Sequence, residues 1–234
     1  MDIQKFDYLH TIVEPLQLIT ELTLMKGEKV TFSSSLSAED QVITDIIFRN
    51  HLNVEVFTLD TGRIFPETYS TLQKTLDKYN KQIKVYFPDA SEVENLLNEK
   101  GPFSFYLSTD NRKECCEIRK VKPLKRALTG KTIWITGIRA EHSPNRTVMS
   151  KIEWDEANQI TKIHPLLNWS NEQVWQYIKE HNVPYNVLHD KGFISIGCQP
   201  CTRAINSGED FRAGRWWWED ASKKECGLHN VSKA

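Results

Sequence analysis

Val54-Glu55-Val56-Phe57-Thr58-Leu59 runs directly into Asp60-Thr61-Gly62-Arg63, and Ile64-Phe65-Pro66-Glu67-Thr68 follows. The first six residues are rich in β-branched and aromatic side chains and read as a short strand. The next four are polar, with a glycine, and read as a loop. Proline suits a first helical turn because the N–H it lacks would be unpaired there, so Pro66 predicts a helix that the pattern carries to about residue 79. Strand, polar loop and helix make half of a βαβ unit. The alternation recurs on both sides. Lys29-Val30-Thr31-Phe32, Ile83-Lys84-Val85-Tyr86-Phe87 and Thr132-Ile133-Trp134-Ile135-Thr136-Gly137 read as strands, and 38–48 and 91–99 as helices. This order predicts an α/β fold, a mostly parallel twisted sheet with helices on both faces. Ligands in such sheets bind beyond the carboxyl ends of the strands.

Farther along, 171–180 predicts a helix, with Ser170 as N-cap and Gln173 at the capping-box position. After Pro184 the periodicity is lost, and Gly, Pro, Arg and Trp dominate 192–218. The reading is one domain over 1–234, with 1–184 as a nucleotide-binding core and 185–234 as an irregular C-terminal catalytic segment. With 30 basic and 31 acidic residues, the net charge of −1 gives no global field for nucleic acid, so no nucleic-acid partner is expected. No apolar run approaches the roughly 18 residues of a membrane span, so no membrane partner is expected. The first sixteen residues lack the basic-then-apolar order of a signal peptide. The expected compartment is the cytoplasm, where cysteines serve as metal ligands or redox groups.

The five cysteines fall as Cys115-Cys116, Cys198-Gln199-Pro200-Cys201 and Cys226. The C-x-x-C spacing alone is shared by zinc sites and thioredoxin-like motifs. The vicinal pair lies in a helix-prone run, Glu114-Cys115-Cys116-Glu117-Ile118-Arg119-Lys120. Successive helical residues point about 100° apart, so these two thiolates do not readily chelate one small ion but can reach different irons of a cubane. Four cysteines meet the ligand requirement of a [4Fe–4S] cluster; a four-cysteine zinc site is the competing reading. Cys226 remains, beside Lys223, Lys224 and His229, whose charges favour the reactive thiolate.

Ser33, Ser34 and Ser35 follow the first strand and precede a helix, where N–H groups and hydroxyls can cradle a phosphate. A serine-rich helix cap has the same composition. Leu59, Asp60 and Thr61 end the second strand, and Gly137 and Arg139 follow the fourth. Arg212 and Arg215 lie in the C-terminal segment, before Trp216-Trp217-Trp218, a run that serves either a core or a partner surface.

These motifs together resemble the assimilatory adenylylsulfate (APS) reductases, the cluster-containing branch of the APS/PAPS reductase family. The resemblance spans nearly the whole chain. It rests on Leu59-Asp60-Thr61-Gly62-Arg63-Ile64-Phe65-Pro66-Glu67-Thr68, Cys115-Cys116 with Arg119-Lys120, Gly137-Ile138-Arg139 with Ser143-Pro144, and Ile163-His164-Pro165-Leu166. It continues through Gly197-Cys198-Gln199-Pro200-Cys201-Thr202-Arg203, Arg212-Ala213-Gly214-Arg215-Trp216-Trp217-Trp218 and Glu225-Cys226-Gly227-Leu228-His229. It implies an adenine-nucleotide alpha-hydrolase-like fold and reduction of APS to sulfite and AMP in assimilatory sulfate reduction, toward cysteine biosynthesis. Cys115, Cys116, Cys198 and Cys201 would hold a [4Fe–4S] cluster, with Lys120 linking cluster and substrate. Cys226 would attack the sulfate sulfur, giving an S-sulfocysteine. Ser33, Ser34, Ser35, Leu59, Asp60, Thr61, Gly137, Arg139, Arg212, Arg215 and His229 would contact the nucleotide. A separate thioredoxin or glutaredoxin would supply electrons. How much PAPS is accepted, and whether the chain forms a homo-oligomer, stay open. Two rivals remain: an ATP-using activator, disfavoured because Ser33-Ser34-Ser35-Leu36-Ser37 has no glycine to make room for pyrophosphate, and a zinc-based nucleic-acid module, disfavoured by charge.

Overall fold

The computed structural model describes residues 4–142 and 149–220. The chain forms two compact units, 1–58 with 68–84 and 128–186, and 59–67 with 85–127 and 187–234. Six strands form one sheet: β1 (Val30–Ser33), β2 (Glu55–Leu59), β3 (Lys84–Tyr86), β4 (Ile133–Ile135), β5 (Ile152–Asp155) and β6 (Ile160–Ile163), in the order β3-β2-β1-β4-β6-β5. β1 pairs in parallel with β2 and β4, with Thr31 opposite both Glu55 and Trp134, and β4 pairs in parallel with β6. β5 runs antiparallel to β6. The expected mostly parallel α/β sheet is present. The reading from sequence passed over β5 and β6, and over α1 (Pro15–Leu24), which also begins on a proline.

In the first unit, the core gathers Phe6 and Leu9, Leu18 and Ile19 of α1, Phe32 of β1, Ile133 and Ile135 of β4, and Val174 and Ile178 of α7 (Asn171–Glu180). α7 carries the expected capping box between Ser170 and Gln173. α2 (Ala38–Arg49) is buried on every side from Ala38 to Phe48. Its apolar side chains feed the core, and its buried polar ones need partners, because an unpaired polar group in low dielectric costs about 1–3 kcal/mol. Asp45 accepts from Tyr79 Oη at 2.5 Å and Tyr177 Oη at 2.8 Å and pairs with Arg49. Gln41 donates to Thr75 Oγ1 and the Pro184 carbonyl, both at 2.7 Å. Two further helices, α3 (Pro66–Tyr79) and α4 (Ala90–Lys100), occupy the predicted places.

The second unit is irregular. Asp89 caps α4 by accepting from the Ser91 and Glu92 N–H groups. α5 (Thr109–Cys116) passes into a π-helical turn, Glu117–Val121, before α6 (Lys122–Leu128). Within 187–220 the chain shows short 3₁₀ turns at Val187–Lys191 and Gln199–Cys201, and a single antiparallel bridge joins Thr202 to Arg215. No described helix is long and apolar enough to cross a membrane.

Candidate active site

Ser108 opens α5 by accepting the Asn111 N–H on its hydroxyl at 3.1 Å. Nine residues later the helix widens. A π turn admits one residue more than an α turn, and such turns cluster at functional sites. Here it falls directly after Cys115-Cys116 and carries Arg119 and Lys120. All four of these side chains line one cavity, with Cys198 and Cys201 from the Gln199–Cys201 turn. The cavity holds about 300 Å³, its open mouth included. Arg63, Arg112 and Phe105 complete its wall.

The turn carrying Cys198 and Cys201 is tied to the loop after β2. The Gln199 N–H donates to the Arg63 carbonyl at 2.8 Å, and Thr61 Oγ1 lies 3.2 Å from Cys198 Sγ. Arg119 donates from Nη1 to the Thr61 carbonyl at 2.7 Å, packed so close that a Cβ on Gly62 would stand 3.3 Å from that nitrogen. Gly62 has a φ of +70°, which favours glycine in any case. Asp60 is buried and accepts the Gly62 N–H at 2.7 Å.

Burial pushes the Cys115 thiol up. Burial and the neighbouring Cys198 push Cys201 up to about 12. At Cys198 burial also opposes ionisation, but Lys120, the Thr61 hydroxyl, Arg215 and Arg119 outweigh it and the thiol is lowered. Among the described residues, no three His, Cys, Asp or Glu side chains converge closely enough to hold a metal ion. A single zinc needs four ligands about 2.0–2.3 Å from one centre. A four-iron cubane instead takes one thiolate at each iron corner. Four thiols spread around one cavity, with Arg63, Arg112, Arg119 and Lys120 to balance their charge, fit the larger group in number and electrostatics.

In the first unit, the loop after β1 uses its hydroxyls internally. Ser33 Oγ accepts the Trp134 indole N–H at 2.8 Å, and buried Ser34 Oγ accepts the Leu36 N–H at 3.2 Å. The Ser35 N–H and hydroxyl both donate to Asp40 Oδ2, at 2.6 and 2.5 Å. Leu36 sits at a φ of +62°, left-handed backbone that costs a non-glycine residue about 1–2 kcal/mol. Burial raises the Asp40 carboxyl to about 7, against the lowering by Ser35's two bonds and with the Glu39 charge adding to the rise. Gly137, after β4, makes room for it: a Cβ there would stand 2.0 Å from Asp40 Oδ1.

Arg139 is buried and held by protein partners. It donates to Glu39 at 3.0 Å, Glu141 at 2.7 Å and the Trp169 carbonyl at 3.1 Å. In the second unit, Trp216 is 1% exposed, and three guanidinium groups lie over its ring: Arg112 at 4.6 Å, Arg215 at 4.8 Å and Arg212 at 5.8 Å. Gly197 lets Arg215 lie close, since a Cβ would stand 2.3 Å from its Nη2. Cys226 and His229 lie outside the described residues. Sequence reasoning passed over Asp40, Glu39, Arg112 and Phe105. Arg112 and Glu39 act through partners 107 and 100 residues away, Glu219 and Arg139, which leave no local signal, whereas Asp40 bonds Ser35 only five residues before it.

A sequence model described as the phosphoadenosine phosphosulfate reductase domain matches residues 29–204. The chain is 48% identical over 202 residues to adenosine 5'-phosphosulfate reductase of Allochromatium vinosum, covering 86% of this chain and 79% of that one. It is 50% identical over 199 residues to the protein of the same name from Neisseria meningitidis, covering 85% and 82%. To that from Sinorhizobium fredii it is 44% identical over 228 residues, covering 97% and 91%. Among solved structures, phosphoadenylyl-sulfate (PAPS) reductase from Candida auris in a phosphate complex superposes with a TM-score of 0.73 at 27% identity, over 88% of this chain and 98% of that one.

Proposed function

The chain belongs to the phosphoadenosine phosphosulfate reductase domain family, and from that premise we propose that it reduces adenylylsulfate to sulfite and AMP, with Cys226 as nucleophile and thioredoxin or glutaredoxin as electron donor. One observation carries the choice of APS. Relatives named for APS reach 44–50% identity, whereas the PAPS reductase structure stands at 27%. The thiol-lined cavity supports the same choice, because the cluster cysteines mark the APS branch that the sequence resembles.

The chemistry assigns each group a task. The Cys226 thiolate attacks the sulfate sulfur, forming an S–S bond. The bond from sulfur to the bridging phosphate oxygen breaks, and AMP leaves with the electron pair. A dithiol thiolate then attacks Cys226 Sγ and expels sulfite, and the second thiol closes a disulfide on the donor and frees Cys226. Two electrons pass from dithiol to sulfur. In the second unit, Lys120, Arg212 and Arg215 supply positive charge for the phosphosulfate, joined by His229 of the same C-terminal segment. In the first unit, Ser33 to Ser35 and Gly137 shape the nucleotide loop, and Arg139 fixes it through Glu39 rather than standing open to anions. A [4Fe–4S] cluster held by Cys115, Cys116, Cys198 and Cys201 would supply a buried charged centre that fixes these loops and sets the local field.

Anaerobically purified protein assayed with APS and PAPS in parallel tests the reading. Sulfite and AMP from APS with thioredoxin, at a higher kcat/KM than from PAPS, are expected. Preference for PAPS, or sulfite from neither, would overturn it.

A further inference from the structure

The three consecutive tryptophans separate in the fold. Trp216 is buried over Cys201 and Phe105, while Trp217 is 40% exposed. Trp218 packs on Tyr106, with ring centroids 4.4 Å apart, and Trp217 lies edge-on to it at 4.9 Å. Tyr106 is also 6.3 Å from Trp217 and 6.3 Å from Phe103, which is 62% exposed. Phe103, Tyr106 and Trp217 thus form one continuous aromatic face. Its floor is anchored to the cysteine turn, since Tyr106 Oη donates to the Pro200 carbonyl at 2.6 Å. Aromatic side chains left open to water in a contiguous group mark interaction surfaces, and Trp and Tyr dominate the binding energy of such surfaces.

We propose that this face docks the protein dithiol that reduces the S-sulfo group on Cys226, a deepening that rests on the function proposed above. Two arguments name the occupant. The second half-reaction needs a dithiol co-reactant. Four of the five cysteines are assigned to the cavity and the fifth carries the sulfo group, so the dithiol is supplied from outside these 234 residues. That dithiol must also meet Cys226. The described chain ends at Asp220, three residues past Trp217, and Cys226 follows six residues later. Six residues reach at most about 20 Å at the ~3.3–3.6 Å per residue of extended chain. A standard footprint of about 800 Å² per partner spans a similar distance. A dithiol protein seated on this face therefore has its thiols within reach of Cys226.

The test compares full-length, iron-loaded wild type with Trp217→Ala and Phe103→Ser, whose highly exposed side chain leaves the fold intact when removed. Val13→Ala, an exposed apolar site in the first unit, is the control. Three quantities are read: the SO3 adduct on Cys226 by intact mass in a single turnover, sulfite release driven by thioredoxin, and sulfite release driven by dithiothreitol. In the two face variants the KM for thioredoxin should rise five- to twenty-fold, with adduct formation and dithiothreitol turnover within twofold of wild type. Unchanged thioredoxin dependence would overturn the proposal. So would an equal fall in all three readouts, which would make the face a seat for the chain's own C-terminal residues. Absence of the adduct in wild type would instead overturn the function proposed above.

Discussion

Asp40 shows how one side chain ties the loop after β1 to pH. Its ordinary value is 3.8, and in the fold burial raises it to about 7. Between those values the folded chain holds a proton that the unfolded chain has lost. The contribution to stability is therefore fully present below about 3.8 and is lost as pH rises through about 7. Asp40→Asn keeps a neutral acceptor for Ser35 and removes the titration. The gap in Tm between variant and wild type should widen in the variant's favour from pH 5 to 7 and level off above 8. A gap that stays constant with pH would show that the carboxyl does not titrate as described. Gly137 belongs to the same device. Gly137→Ala places a methyl 2.0 Å from Asp40 Oδ1 and 3.4 Å from the Asp40 nitrogen. Overpacking of this kind costs about 1–3 kcal/mol, measurable by urea denaturation. Adding Asp40→Ala should recover most of that loss; simple additivity would place the clash elsewhere. The cysteines were legible in the sequence because vicinal thiols and C-x-x-C are local chemistry. Arg139 was legible only as a cation after a strand. Its partner Glu39 lies 100 residues away, so its enclosure could not be read from the pattern.

At the scale of elements, α5 is joined to the end of the described chain by an ion pair. Arg112, 1% exposed, donates to Glu219 from Nε at 3.0 Å and Nη2 at 2.8 Å, while its guanidinium lies over Trp216. The two carboxylate oxygens and two nitrogens face each other as a fork, the geometry that best offsets the cost of burying both charges. Removing one partner strands the other, at about 3–5 kcal/mol. Glu219→Ala should lose about that much in denaturant unfolding of the iron-loaded protein, and Arg112→Met with Glu219→Leu should lose less than the single change. A loss below about 1 kcal/mol for Glu219→Ala would show that the pair is not buried in solution. Helices and strands with strong periodicity, such as α2, α3 and β1, lie within a few residues of their expected bounds. The run 114–120 reads as plain helix, because a π turn differs from an α turn by one inserted residue and leaves no mark on side-chain type. β5 and β6 are four residues each: β5 alternates over only Ile152-Glu153-Trp154-Asp155, too short a run to stand out, and β6 buries all four of its residues, with Lys162 paired to Glu153 and Asp155, so it shows no alternation.

Across the whole molecule, the two units differ in what holds them. The first has a continuous apolar core running from Phe6 to Val183. The second has a small cluster of Phe105, Cys201 and Trp216, with Cys115, Cys198 and Trp218 packed against it. Its pieces, 59–67, 85–127 and 187–234, lie far apart in sequence, so no contiguous division of the chain could have drawn it. Small cores are commonly completed by metal or disulfide staples. Cys115 and Cys116 end α5, and Cys198 and Cys201 flank a turn some 80 residues later, so a cluster on these four thiols would join the two longest segments of the unit. Metal binding to such a site is also folding free energy. Removing iron anaerobically with a chelator should therefore speed amide exchange at 109–121 and 199–216 by at least ten-fold, which corresponds to about 1.4 kcal/mol of lost local stability. Amides of β1, β4 and α2, which draw on the first unit's own core, should stay within twofold of their rates in the loaded protein. Hydrogen exchange read by mass spectrometry on both forms makes the comparison segment by segment. Equal acceleration in both units, or none in 109–121, would mean that the four cysteines do not carry the staple.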